Sequence, residues 1–176
     1  MGHAGDTPSG GGAADSTAVL SALLHAGADK ADRISICTIC DAEAAGEAAR
    51  AGVGKTITLK VGHKRSGLGE PLTVTGKVKS LTDGEFVIRG PMGTGTKAQL
   101  GPAAVLDTGK MEIVVISRHH EPFDLGIFTS LGIQPEHKRY LLLKSRIHYR
   151  AGFAKMAKHT FRLDGEGVTT SDNSLL

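Results

Sequence analysis

Apolar residues recur along this chain with two different periods, and the change from one to the other organises it. Val19, Leu20, Leu23 and Leu24 form a stripe at helical spacing, and Gly27 stands where that helix would stop. Residues 33–40 carry apolar side chains at 34, 36 and 39 and read as a strand. Asp41 then caps a second helix, Ala42–Ala51, closed by Gly52. From Thr56 the period shortens to two. Residues 56–61, 72–81, 85–89, 103–106 and 111–117 are short β-branched runs that predict strands, with Asp83-Gly84 and Asp107-Thr-Gly109 as hairpin turns. The last third predicts a short helix around 122–131, an apolar strand Tyr140–Leu143 and another short helix near 153–158. No internal repeat is evident. The pattern predicts one α/β domain over residues 1–176, with a mixed β-sheet, flanking helices and an antiparallel β-rich middle section.

Composition adds turns and removes partners. The 24 glycines among 176 residues are about twice the usual share of ~7 %, which predicts many tight turns around a core of Val, Ile, Leu and Ala. The net charge of +3 is mild and the basic residues are interspersed with acids, so no nucleic-acid partner is expected. Lys60, His63, Lys64 and Arg65 are the densest basic patch. No aromatic is interleaved there for base stacking, so they read as a solvated loop between strands. No segment approaches the ~18 apolar residues of a membrane helix and the N-terminus is unlike a signal peptide. A cytoplasmic protein without a membrane partner is expected, with Cys37 and Cys40 as unpaired thiols.

The chemistry concentrates in Gly5-Asp-Thr-Pro-Ser-Gly-Gly-Gly-Ala-Ala-Asp-Ser-Thr17, a glycine-rich loop running into a helix. Gly10, Gly11 and Gly12 can take positive φ, and Asp15 or Ser16 would satisfy open N–H groups of the helix that follows. Such a loop can cradle an anion. Two other patterns point away from ligands. Residues 49–56 imitate a phosphate loop, but the pattern closes a helix and enters a strand, the reverse of the order that converges N–H groups on phosphates. Cys37-Thr-Ile-Cys40 has redox or zinc spacing inside a strand, where residues three apart face opposite sides. His119-His120 follows one apolar strand, and Lys144-Ser-Arg-Ile-His-Tyr-Arg150 follows another. The C-terminal strand edge is where ligands bind in α/β sheets. There Lys144, His148 and Arg150 could hold a carboxylate or polarise a carbonyl, and His148 could move protons. An ordinary polar surface explains the same spacing. None of the eight histidines has a spacing that announces zinc, and no metal ligand is assigned.

Asp6-Thr-Pro-Ser-Gly-Gly-Gly-Ala-Ala-Asp-Ser-Thr17 resembles the D-N-P-G-G-G-A-P-G-D-S-T loop of the microcystinase C (MlrC) family, in its C-terminal domain. Further blocks resemble that family in the same order: Asp41-Ala-Glu-Ala-Ala, Ala51-Gly-Val-Gly, Gly90-Pro-Met, Leu100-Gly-Pro-Ala-Ala-Val-Leu and Ile116-Ser-Arg118. Phe128-Thr-Ser-Leu-Gly-Ile133, residues 144–153 and residues 164–171 complete the series. Thr7 stands for the usual Asn and Ser9 for a usual Gly, so Asp6 and Asp15 carry over best.

The resemblance implies a part of a zinc metallopeptidase that opens peptide bonds in linear peptides derived from cyclic toxins. The zinc ligands would lie in a larger N-terminal domain, missing here or separately encoded, so this chain alone would bind no cofactor. Its implied role is one wall of a cleft for a peptide-like substrate. Asp6, Ser9, Gly10, Gly11, Gly12, Asp15, Ser16, Arg118 and Arg150 would contact substrate, and Lys144 and His148 would act in catalysis. A free-standing module binding a small carboxylate or phosphate through the loop is the alternative. A domain that only stabilises its parent would leave an apolar face and self-associate as a homo-oligomer.

Overall fold

The computed structural model describes residues 2–3, 5–31, 33–165 and 167–169; the Cys37 side chain, Glu166 and residues 170 and 171 of the last motif block lie outside the described residues. The described residues form ten strands: β1 (Gly2–His3), β2 (Ile34–Cys40), β3 (Thr56–Val61), β4 (Leu72–Thr82), β5 (Glu85–Val87), β6 (Lys97–Gln99), β7 (Ala103–Asp107), β8 (Met111–Ile116), β9 (Tyr140–Leu143) and β10 (Arg162–Leu163). The helices are α1 (Ala18–His25), α2 (Ala28–Ala31), α3 (Ala42–Ala51), α4 (Gly126–Thr129) and α5 (Arg150–Phe153). Eight strands form one sheet in the order β10-β1-β9-β2-β8-β7-β4-β3, while β5 and β6 pair separately. From β10 to β8 neighbours are parallel, and from β8 to β3 they are antiparallel. The expected mixed α/β architecture is the one observed.

Strand β8 explains why both faces of the sheet are covered. All six of its residues are buried. Met111, Ile113 and Val115 join Leu20, Ile34, Ile36, Leu106 and the Ala44–Ala45–Ala48 stripe of α3 on one side. Val114 and Ile116 join Val105, Phe128, Leu143 and Phe153 on the other, where Phe128 and Phe153 meet edge to face at 5.9 Å. A strand buried on both faces reads as a continuous apolar run.

Glu112 interrupts that run because it is matched. Its carboxylate accepts hydrogen bonds from Ser35 and Lys79 and pairs with Lys138. Burial would raise its pKa, but Lys138, Lys79 and Ser35 outweigh burial and hold Glu112 below the ordinary carboxylate value. A folded value below the unfolded one means stability that is present above about pH 4.3 and lost as pH falls through the folded value. Glu112→Gln is therefore expected to cost about 1–2 kcal/mol at pH 7 and less at pH 2, discounted for the partial exposure of Lys79. Urea melts at the two pH values check this.

Several local expectations change. Asp83-Gly84 is not a hairpin turn: β4 pairs with β3 and β7, and the chain leaves the sheet at Gly84 to form β5 against β6. Asp107-Thr-Gly109 does join antiparallel β7 and β8, with the Gly109 N–H donating to Asp107 Oδ1. The helix expected over 122–131 shrinks to Gly126–Thr129, because Asp124 ties its own loop to Gly126 and to the Arg89 and Gly90 N–H groups. The last helix lies at Arg150–Phe153 rather than 153–158, burying Tyr149 and Phe153 one turn apart. The phosphate-loop imitation ends α3 through Gly52 (φ 87°) and Gly54 (φ 87°), then enters β3. Cys40 is a free, buried thiol, and burial pushes its pKa up, disfavouring the thiolate, against the opposing pull of Arg65.

Candidate functional site

The C-terminal ends of β2, β8 and β9 point to the same edge of the sheet, and the glycine-rich loop crosses that edge. Asp6 organises the loop. Its carboxylate accepts hydrogen bonds from the Ala14 N–H (2.8 Å), the Ser16 N–H (2.7 Å) and Lys144 Nζ (2.7 Å). Lys144 also donates to the Ser16 carbonyl. Burial pushes Lys144 below the ordinary lysine range, opposed by the Asp6 charge. The anion in the cradle is thus the protein's own. The N–H groups of Gly10, Gly11 and Gly12 close turns onto the Thr7 and Pro8 carbonyls, and that of Thr17 donates to His63 Nε2.

A second clamp comes from the loop after β3, which composition alone left as solvated. Asp15 Oδ2 accepts the Arg65 and Ser66 N–H groups instead of capping α1. Burial would raise Asp15, but those hydrogen bonds prevail and hold it below the ordinary carboxylate range. Thr17 is the N-cap of α1 and makes no side-chain cap; Ser16 Oγ accepts the Ala18 N–H at 3.4 Å. Lys64 pairs with Asp41 and Glu43, and His63 is buried.

These clamps fix the loop's backbone. A Cβ on Gly12 would lie 2.6 Å from the Asp6 carbonyl carbon, and one on Gly62 (φ 81°) 2.4 Å from the Asp15 oxygen. Ala14 takes φ 58°, a left-handed conformation that costs a non-glycine residue about 1–2 kcal/mol. The motif resembled by the loop has Gly there. Hydrogen bonds at both Ala14 N–H and Ala14 carbonyl, the latter from Cys40, hold it in place.

Beside this loop lies a shallow, open cleft of about 330 Å³, lined by Ser9, His119, His120, Glu121 and His148, with Pro8, Met92 and Phe123. Both histidine segments expected at strand ends meet here. His119 Nε2 is hydrogen-bonded to the Gly12 carbonyl oxygen, which ties the β8 end to the loop. His120 packs between Phe86 and Phe123, and burial pushes it below the ordinary histidine range against the pull of Glu121 and Asp124. His148 Nδ1 lies 3.1 Å from Glu121 Oε2, and Ser145 donates to the other carboxylate oxygen.

The remaining candidates are placed elsewhere. Lys144 is buried against Asp6, so it faces the loop rather than the cleft. Arg118 is exposed and donates to Gln99 on β6 at 2.6 Å, and Arg150 is exposed on α5. Sequence reasoning missed Glu121, although its position directly after His119-His120 at a strand end was the available signal. A larger groove of about 540 Å³, lined by Tyr140, Tyr149, Phe153, Met156 and Phe161 among others, is mainly apolar and shares no lining residue with this cleft.

Among the described residues no group of three or more His, Cys, Asp or Glu is placed to hold a metal ion. What the cleft can do is hold polar ligand groups and exchange protons. Among the described residues no helix is long and apolar enough to cross a membrane.

The family model described as MlrC C-terminus matches residues 2–176. Microcystinase C of Sphingomonas sp is 32 % identical over 158 residues, which is 87 % of this chain and 29 % of that protein. The solved structure of a candidate metallopeptidase from Mesorhizobium sp. BNC1 has the same fold, with a TM-score of 0.86 and 24 % identity over 99 % of this chain and 35 % of that one. The chain thus spans about a third of the length of these relatives.

Proposed function

Because this chain belongs to the MlrC C-terminus family, we propose that it is the C-terminal domain of an MlrC-like zinc metallopeptidase, with its sheet-edge cleft as one wall of the substrate site. The observation that carries this reading is the convergence of Ser9, His119, His120 and His148 on one cleft at the C-terminal strand edge. Zinc and its ligands are assigned to the part of the full-length relatives that this chain does not span. What this chain supplies is contact with a peptide-like substrate and a histidine positioned to move protons. The alternative of a free-standing anion module loses support, because the loop's N–H groups at 10, 11, 12, 14, 16 and 17 have partners inside the protein.

The test is a chimaera in which this chain replaces the segment it matches in Microcystinase C. The chain alone is expected to leave a linear peptide intact, and the chimaera to retain zinc and hydrolyse it. A folded, zinc-loaded chimaera without activity would count against the reading.

A further inference from the structure

Glu121 stands where no motif marked it, immediately after the two histidines that close β8. Its side chain is 6 % exposed, and both carboxylate oxygens are engaged. One accepts the Ser145 hydroxyl; the other lies 3.1 Å from His148 Nδ1. Ser145 in turn accepts the Tyr149 N–H at 3.0 Å, which braces the pair against the start of α5. His148 is 35 % exposed and lines the cleft.

Ser145 is no nucleophile in this arrangement. It is fully buried, and its proton is directed to Glu121 and not to His148, so the order of a serine triad is absent. An ionised carboxylate accepts and cannot donate, so a neutral imidazole beside it must carry its proton on Nδ1. The other tautomer would set two lone pairs against each other. The lone pair of Nε2 is then left for the cleft.

We infer that Glu121 is a positioning residue that holds His148 as the Nδ1–H tautomer and presents Nε2 as the base toward an N–H or O–H of a bound peptide. The proton taken by Nε2 makes an imidazolium paired with Glu121, and it is returned to the product or to water. The identity of the ligand rests on the function proposed above; the tautomer does not. The same logic operates where a carboxylate behind a histidine fixes which ring nitrogen acts.

Long-range ¹H–¹⁵N correlation spectra of the labelled chain read the tautomer directly. Neutral His148 is expected as Nδ1–H by roughly tenfold or more, the ratio one charge-assisted hydrogen bond supplies. Glu121→Ala is expected to abolish that preference, while Ser145→Ala keeps it. An Nε2–H tautomer in the unaltered chain, which needs no variant to fold, overturns the inference, as does an unchanged ratio in Glu121→Ala. In the active chimaera Glu121→Ala should lower kcat about 10–100-fold with KM little changed. An active chimaera indifferent to Glu121→Ala refutes the positioning role alone. A chimaera inactive before substitution refutes the function proposed above, and the spectra still decide the tautomer.

Discussion

Asp6→Ala is expected to lower the thermal midpoint of this protein by roughly 10 °C or more. The substitution removes one carboxylate and orphans three donors together: the Ala14 and Ser16 N–H groups and the Lys144 ammonium. Lys144 is only 5 % exposed, so water cannot replace the lost partner without opening the strand edge. Breaking a buried pair by removing one member costs about 3–5 kcal/mol, and each buried orphan donor about 1–3 kcal/mol. These costs overlap, but about 3–5 kcal/mol is already a large part of the ~5–15 kcal/mol that holds a domain folded. Lys144→Met should cost less, because Asp6 keeps its two backbone N–H groups. The double substitution Asp6→Asn with Lys144→Met should cost clearly less than the sum of the two single changes. Thermal melts followed by circular dichroism measure all three, and a loss under about 1 kcal/mol for Asp6→Ala would show that the loop does not depend on its internal anion.

That dependence changes the meaning of the glycine-rich loop. Its composition announces close backbone approach, and close approach is what the structure has, around an acid eight residues upstream of Ala14 instead of a ligand. Spacing cannot reveal this, since Asp6 and Lys144 lie 138 positions apart and meet only when β9 is laid beside β1 and β2. His63 was hidden for the same reason. Its role as acceptor for the Thr17 N–H depends on a turn at Gly62 that only folding brings against the loop.

What was legible rests on local signals that the fold does not contradict. The six-residue run of β8, the Asp41 cap and Gly52 stop of α3, and the apolar run of β9 each specify one element without help from elsewhere. The resemblance of ordered motif blocks to one family was legible too. The helix around α4 was expected too long and α5 was misplaced, because four-residue helices owe their bounds to tertiary ties, here Asp124 to the Arg89 and Gly90 N–H groups and Ser145 to Glu121, and not to periodicity. β6 escaped because its single buried residue, Ala98, leaves no alternating pattern. In the cleft, His119, His120 and His148 were visible as strand-end residues, but their convergence required the parallel placement of β8 and β9 on either side of β2.

His148 is the residue on which the functional account turns. It combines access to the cleft with a buried carboxylate behind it, whereas Lys144 is consumed by Asp6 and Arg150 stands outside on α5. Removing a positioned proton-transfer group lowers rate by about 10²–10⁴-fold, more than loss of any single contact elsewhere in the cleft would. The substitution removes little packing, since His148 is 35 % exposed, so folding should survive it. His25, exposed on α1 and held by Ser21, serves as the control.

The decisive measurement is kcat for hydrolysis of a linear peptide by the zinc-loaded chimaera carrying His148→Ala, beside the His25→Ala control. The account predicts a loss of about 10²–10⁴-fold at unchanged zinc content and thermal midpoint for His148→Ala, with the control unaffected. A His148→Ala chimaera that turns over peptide at the unsubstituted rate would contradict it.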